Sequence, residues 1–189
     1  TPTTLGKEMA NVAWRLKRDA REDWLTDYER MVIPIVLGLD SRSLHALISR
    51  LTTLHHAQTH PAEQSLRGGT QTRGNLFDLP IPEIVALAAM IRTAVRQRLV
   101  RLDRDPQHPF FSRLTNDIEF TGSWSVRLKS AGFHMNHIHH HGWLSSACYI
   151  ALPPEMSRAD AESPGALQFG VPDSSLGLDL APRRVVRPK

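Results

Sequence analysis

The sequence predicts an α+β fold in which helices pack on one side of a jelly roll or β-sandwich. Its 189 residues suffice for one good-sized core, and 41% of them are hydrophobic, as in ordinary globular proteins. Apolar residues recur at helical spacing in the first half, whereas short apolar runs and turn residues alternate after residue 109. Helices followed by many short strands favour this class.

Three stretches of the first half have the spacing of amphipathic helices. Residues 5–31 predict one or two helices with charges between their apolar positions. Asp40 can cap a following helix whose leucines keep helical spacing as far as Leu54. The strongest helix begins at Pro82, which suits a first turn, and extends to about residue 103. Its arginines lie off the apolar stripe and need no functional explanation.

The remaining segments predict strands and loops. Val32–Leu37 predicts a short strand that Pro34 confines to an edge or a bulge, and residues 57–80 are typical of a long loop. The second half predicts six short strands, at 117–120, 123–128, 133–138, 143–152, 166–169 and 183–186.

Charge and composition exclude several classes of protein. The net charge is +4, but the 23 basic residues are spread along the chain and balanced by 19 acidic ones, so we expect no nucleic-acid partner. No stretch approaches the ~18 apolar residues of a membrane helix, and the charged N-terminal region is no secretory signal. The single cysteine, Cys148, agrees with a reducing compartment. These features predict a cytoplasmic protein without membrane partners.

Five of the ten histidines fall within residues 134–141. If Phe133–His139 is a strand, His137 and His139 share one face, and His134 points the other way. Two imidazoles so placed can bind one ion, and zinc, iron(II), copper and nickel all accept such nitrogen donors. A complete site needs at least one more protein ligand, and no downstream acid has a context that marks it as that ligand. The alternative interpretation is a solvated loop.

Two further residues are candidates for binding a ligand. Tyr149, on a predicted strand, can donate a hydrogen bond to a carboxylate, although a buried tyrosine more commonly finds a structural partner. Arg127 shares a strand face with Ser125. It is either a ligand-binding residue, because an inward arginine needs an anion, or it points outward into solvent.

Several motifs occur in order along the chain. They are SLRGGTQT at 65–72, GSWSVRL at 122–128, GFHMNHIH at 132–139, GWLS at 142–145, Tyr149, and the Leu-Pro pair at 152–153. Together they resemble a family of 2-oxoglutarate- and iron(II)-dependent oxygenases, from about residue 60 to the end. The stretch 13–28 is also similar to the segment that follows tetratricopeptide repeats in longer family members.

The resemblance implies a double-stranded β-helix, which is a cupin-like jelly roll, with iron(II) bound in its mouth. It implies a helical region, 1–56, and an oxygenase-like domain, 57–189, with a support helix at 82–103 and an incomplete jelly roll at 117–189. His137 and His139 match the first two metal ligands, although many relatives of this fold have a carboxylate at the second position. Tyr149 matches a residue that contacts the co-substrate, 2-oxoglutarate, and Arg127 is a second candidate for it.

The family pattern continues with a distal histidine and an arginine for 2-oxoglutarate, and the sequence ends before both. The first residue is Thr1, and the last residues follow directly on a strand-like pair, Val185 and Val186. We therefore expect a fragment of a longer protein, with weak or no activity of its own.

The resemblance predicts a dioxygenase that converts 2-oxoglutarate to succinate and hydroxylates a substrate that the sequence does not identify. The main alternative is a noncatalytic cupin-like module that binds a metal or a protein partner, with the N-terminal helices as the partner surface. A zinc-dependent hydrolase or isomerase is the alternative among enzymes.

Overall fold

The structure is a computed structural model that describes residues 38–56, 65–137, 139, 141–152 and 165–187. The predicted N-terminal helices and the edge strand Val32–Leu37 lie outside these residues. The regular elements are two α-helices, α1 (Ser41–Thr53) and α2 (Pro82–Leu99), and four strands, β1 (Leu66–Gln71), β2 (Val126–His134), β3 (Leu167–Phe169) and β4 (Arg184–Val186). Short 3-10 turns lie at Leu76–Asp78, Phe111–Arg113 and Ser174–Leu176. The α+β class is confirmed.

Helices α1 and α2 begin as the sequence predicts. The Asp40 side chain accepts a hydrogen bond from the backbone N–H of Ser43 at 2.7 Å, which caps α1 and lowers the pKa of the Asp40 carboxyl. Pro82 occupies the first turn of α2, where its missing N–H costs nothing. An ion pair of 3.6 Å between Arg50 and Glu83 joins the two helices, and its exposure limits its contribution to stability.

The main core lies between the two helices and the 3-10 turn at Leu76–Asp78. Ile84 of α2 is fully buried, and Ile150 from the second half of the chain packs against the same cluster. Burial of such side chains contributes about 1.5–3 kcal/mol each relative to exposure. The buried members of the cluster are Leu47, Leu51, Leu76, Ile84 and Leu87.

Strands β1 and β2 form an antiparallel ladder with a wide irregularity in its middle. Thr70 pairs with Arg127 and Leu66 pairs with His134, but Gly69 pairs with Leu128 while Arg67 pairs with Phe133. Residues 129–132 of β2 therefore make an excursion opposite Gly68, whose φ of +64° is the left-handed conformation that glycine tolerates. Strands β3 and β4 form a second two-stranded antiparallel sheet.

Several predictions about strands and loops are wrong. Residues 57–80 were expected as a loop but contain β1, because pairing with β2 outweighs the polar, glycine-rich composition of Leu66–Gln71. Residues 117–120 and 143–152 are not strands. The predicted strand at 123–128 begins at Val126 and continues to His134. Of the predicted strand at 133–138, Phe133 and His134 belong to β2, and residues 135–137 are not in a strand.

Two arginines of α2 donate hydrogen bonds to the backbone of the segment 116–120, which pairs with no strand among the described residues. The Arg92 Nε–H donates to the carbonyl of Ile118 at 3.3 Å, and the Arg96 Nε–H donates to the carbonyl of Asn116 at 3.2 Å. The Arg92 guanidinium also lies 4.8 Å from the centre of the Phe120 ring. These contacts give Arg92 and Arg96 a structural role.

The predicted strands at 166–169 and 183–186 correspond to β3 and β4. Among the described residues, the strands form two separate two-stranded sheets. The jelly roll therefore remains a prediction. No helix in the described part of the chain is both long and apolar enough to cross a membrane.

Candidate metal centre

The imidazoles of His137 and His139 converge, although neither residue is in a strand. β2 ends at His134, and the chain continues irregularly to His137. The strand that the sequence analysis assumed is therefore wrong, but the expected convergence of the two rings is observed. The Nε2 atoms of His137 and His139 lie 3.2 Å apart, with the rings nearly perpendicular and their centres 4.9 Å apart.

The backbone orients the His137 ring. Nδ1 of His137 lies 2.7 Å from the carbonyl oxygen of Met135, and since a carbonyl can only accept, Nδ1 carries the hydrogen. Nε2 of His137 then presents its lone pair toward His139. A backbone carbonyl that fixes the tautomer in this way is the usual support of a metal-binding histidine.

The distance between the two Nε2 atoms fits two ligands of one transition-metal ion. Nitrogens bound at about 2.1 Å lie about 3.0 Å apart at a right angle and about 3.4 Å apart at the tetrahedral angle. The observed 3.2 Å falls between these values. The same separation also admits an N–H···N hydrogen bond in which His139 donates to His137. Across the described residues, however, no group of three or more His, Cys, Asp or Glu side chains is arranged to bind a metal.

Two more rings extend this pair on either side. The His134 ring lies 5.8 Å from that of His137, so the expectation that His134 points the other way is wrong, because the strand ends there. Its Nδ1 is 3.1 Å from the Ser65 hydroxyl. Desolvation lowers the pKa of His134, and the nearby imidazoles of His137 and His139 lower it further. On the other side, the Trp124 ring lies 5.4 Å from that of His139.

The structure places Tyr149 and Arg127 in different surroundings. The Tyr149 hydroxyl donates to the carbonyl of Gly165 at 2.5 Å, and burial raises its pKa. Arg127 is exposed, and it projects from the same face of the ladder as Ser125. Trp124, which contacts His139, alternates with Ser125 and so projects from the opposite face. The roles of Tyr149 and Arg127 in binding 2-oxoglutarate stay predictions.

A polar cluster that the sequence analysis missed lies on the Arg127 face of the ladder. His55, just after α1, places Nδ1 2.9 Å from the Thr70 hydroxyl and Nε2 3.0 Å from the Ser125 hydroxyl. Burial lowers the pKa of His55, and the charges of Arg127 and His56 lower it further. His55 and Ser125 are 70 residues apart in the sequence, so no spacing pattern could have predicted this contact.

Two other side chains are explained by packing. Burial raises the pKa of the Cys148 thiol, which disfavours the reactive thiolate. Trp143 stacks on Phe110 with ring centres 4.5 Å apart, and Phe110 contacts Phe111 edge-on. This aromatic cluster anchors the segment that follows the histidines.

Comparison with protein families gives a match to the segment that carries the converging imidazoles. Residues 122–181, about a third of the chain, match the model of the family described as "Putative 2OG-Fe(II) oxygenase". The match includes both imidazoles, Arg127 and Tyr149, and it confirms the family resemblance over this segment. No match was found among curated proteins or solved structures.

Proposed function

We propose that this protein is an oxygenase dependent on iron(II) and 2-oxoglutarate, with His137 and His139 as two of the iron ligands. The observation that carries the proposal is the 3.2 Å separation of the two Nε2 atoms within the segment that matches the family model. Imidazole nitrogens suit iron(II), and an oxygenase must leave other coordination positions open for its co-substrate and dioxygen. When bound, iron would supply the oxidising chemistry that couples conversion of 2-oxoglutarate to succinate with hydroxylation of a C–H bond.

The protein's own residues contribute orientation to this chemistry. The carbonyl of Met135 holds the His137 ring with its lone pair outward, and the Trp124 ring packs beside that of His139. Two rings restrained in this way lose little conformational freedom when they bind an ion. A third ligand is required, and among the described residues none completes the set.

Tyr149 is the proposed donor to a carboxylate of 2-oxoglutarate. Its hydroxyl is suited to this role, but binding would require it to exchange its present acceptor, the Gly165 carbonyl, for the ligand. Arg127 is the weaker candidate for the same role, because Trp124 and not Arg127 shares a face of the ladder with the imidazole pair.

The first experiment measures succinate formed from 2-oxoglutarate by the protein with added iron(II). We expect succinate in the natural full-length protein and none in His137→Ala or His139→Ala. His141→Ala, from the same histidine-rich stretch, is the matched control and should retain activity. Equal succinate from all four proteins would exclude the proposed iron site.

The second experiment separates metal binding from catalysis. Iron(II) affinity is measured by anaerobic calorimetry on the same variants. We expect more than about 100-fold weaker binding when either imidazole is removed, since even changes in supporting residues of metal sites cost 10–100-fold. Iron binding at this pair without any turnover would favour the alternative, a noncatalytic metal-binding module.

A further inference from the structure

The face of the β1–β2 ladder that points away from the imidazole pair carries a second set of polar side chains. Thr70 pairs with Arg127, and the Thr72 N–H donates to the carbonyl of Ser125 at 3.0 Å. The Thr72 hydroxyl also accepts from the Ser125 N–H at 2.9 Å, which fixes the register here. Directly paired residues share one face of an antiparallel ladder, so these four side chains lie together.

His55 covers this face and contacts both strands. Its two ring nitrogens lie 2.9 Å and 3.0 Å from the hydroxyls of Thr70 and Ser125. Thr70 is buried, whereas Ser125 and His55 are half-buried and Arg127 is exposed. Thr70 is therefore the buried end of the cluster, and Arg127 is its exposed end, which a ligand can reach from solvent.

Among the residues that the structure describes, this cluster carries a positive charge without a counterion. Arg127 and His56 are the charged groups that act on His55, and both disfavour its protonation. In the part of the chain that the structure describes, no carboxylate forms an ion pair or hydrogen bond with Arg127. A guanidinium beside oriented hydroxyls, with no acid to neutralise it, is suited to an anion with two or more oxygens.

The hydrogen bonds of His55 leave the Ser125 hydroxyl able to donate to such an anion. A neutral imidazole has one donor and one acceptor nitrogen. In the tautomer protonated at Nε2, His55 donates to the Ser125 oxygen and accepts from Thr70 at Nδ1. The Ser125 hydroxyl hydrogen then remains available, on the same face as the Arg127 guanidinium.

We propose that Arg127 and Ser125, positioned by His55, form a binding site for the carboxylate or phosphate group of a ligand, on the ladder face opposite the imidazole pair. The site needs no metal. It extends the proposed function, because an anionic group held here would belong to a ligand other than the co-substrate bound at iron. Arg127 and Ser125 contact the anion, and His55 is a positioning residue.

The test measures binding of glutarate and of inorganic phosphate to the full chain by calorimetry without iron. Glutarate has two carboxylates but no keto group to chelate a metal. We expect saturable binding of at least one probe, weakened about tenfold to a hundredfold in Arg127→Gln and about threefold to tenfold in Ser125→Ala. Arg42→Gln removes an equal charge from the exposed surface of α1 and should leave binding unchanged.

The outcomes are decisive in either direction. Absence of saturable binding of both probes overturns the proposal, and so does equal weakening in Arg42→Gln and Arg127→Gln, because net charge alone would then explain it. Circular dichroism of each variant checks the fold. If Arg127→Gln unfolds, Ser125→Ala alone decides, since it removes one oxygen atom only.

The pH dependence of glutarate binding tests the role of His55 separately. Protonation of His55 would add a positive charge and free both hydroxyl hydrogens, so glutarate should bind more tightly as pH falls from 8 to about 6, where its carboxyl groups, with a reference pKa of about 4.3 for a single carboxyl, are still ionised. His55→Gln should bind more weakly and lose this part of the pH dependence, whereas His45→Gln on α1 should keep it. Identical pH profiles of the wild type and His55→Gln would refute the positioning role.

A final arm identifies the source of the anion. With iron(II) present, glutarate at the concentration that saturates the Arg127 site should leave the dependence of succinate formation on 2-oxoglutarate unchanged if the two sites are separate. Competitive inhibition with an inhibition constant equal to the dissociation constant at Arg127 would assign Arg127 to the co-substrate and overturn the proposal. Loss of succinate formation in His137→Ala with unchanged glutarate binding would support both proposals. Glutarate binding in a protein that never forms succinate would refute the oxygenase proposal and leave the anion site intact.

Discussion

Replacement of Gly132 by alanine tests the close approach of the β1 and β2 backbones. A Cβ added at Gly132 would lie 2.3 Å from the carbonyl oxygen of Gly68 and 3.0 Å from that of Lys129. Ordinary contact begins at 3.4 Å, so the strands would have to separate by about 1 Å. Both neighbours are backbone atoms and no flexible side chain can give way, so we expect a cost of about 3 kcal/mol, the upper end for overpacking.

Gly74→Ala is the matched control. Its φ is +67°, but nothing lies within 4 Å of the added Cβ, so only conformational strain of about 1 kcal/mol is expected. In urea unfolding, with a slope of about 2 kcal/mol/M, the midpoint should fall by about 1.5 M for Gly132→Ala and about 0.5 M for Gly74→Ala. If Gly132→Ala is no less stable than Gly74→Ala, the two backbones do not approach as described.

Three further predictions concern the hydrophobic core, the contacts of the α2 arginines with residues 116–120, and the pH dependence of stability. Ile84→Ala should cost about 2–5 kcal/mol of unfolding free energy in a urea titration, whereas Val85→Ala, exposed on the same helix, should change it by less than about 0.5 kcal/mol. Arg92→Ala should lower the free energy of unfolding by about 1–2 kcal/mol and speed amide hydrogen exchange within 116–120. Unchanged exchange there would contradict a stabilising role of Arg92 for this segment. The native pKa of His55 is lowered, so the stability linked to it is present above pH 6.5 and is lost as pH falls through the native value; His55→Gln should lose less stability than the wild type between pH 7 and 5.

Elements with local signals were predictable from the sequence. The Asp40 cap and the proline at the first turn of α2 act within a few residues of the helix starts they determine, and both helices begin there. Strand β1 was missed because its stability comes from a partner about 60 residues away, which no local pattern reports. Residues 117–120 have a strand-like composition, but guanidinium groups of α2 take the place of a neighbouring strand.

The proximity of the two imidazoles was predictable from the sequence, but the geometry that produces it was not. Spacing pointed to His137 and His139, and their rings do converge, but a hydrogen bond to the Met135 carbonyl orients one of them where a strand was expected. The contact of Trp124 with His139 and the cluster around His55 arise from tertiary packing, so no spacing rule could reveal them.

The excursion at residues 129–132 makes the chain sensitive to length at this point. Between matched pairs, β2 advances five residues, from Leu128 to Phe133, while β1 advances two, an excess of three. Since alternate residues of a strand project to opposite sides, an odd excess reverses the orientation of everything downstream. A one-residue insertion or deletion at 129–131 would make this excess even and should turn the histidine-bearing segment to the other side of the ladder, a larger effect than substitution of the exposed Lys129 or Ser130.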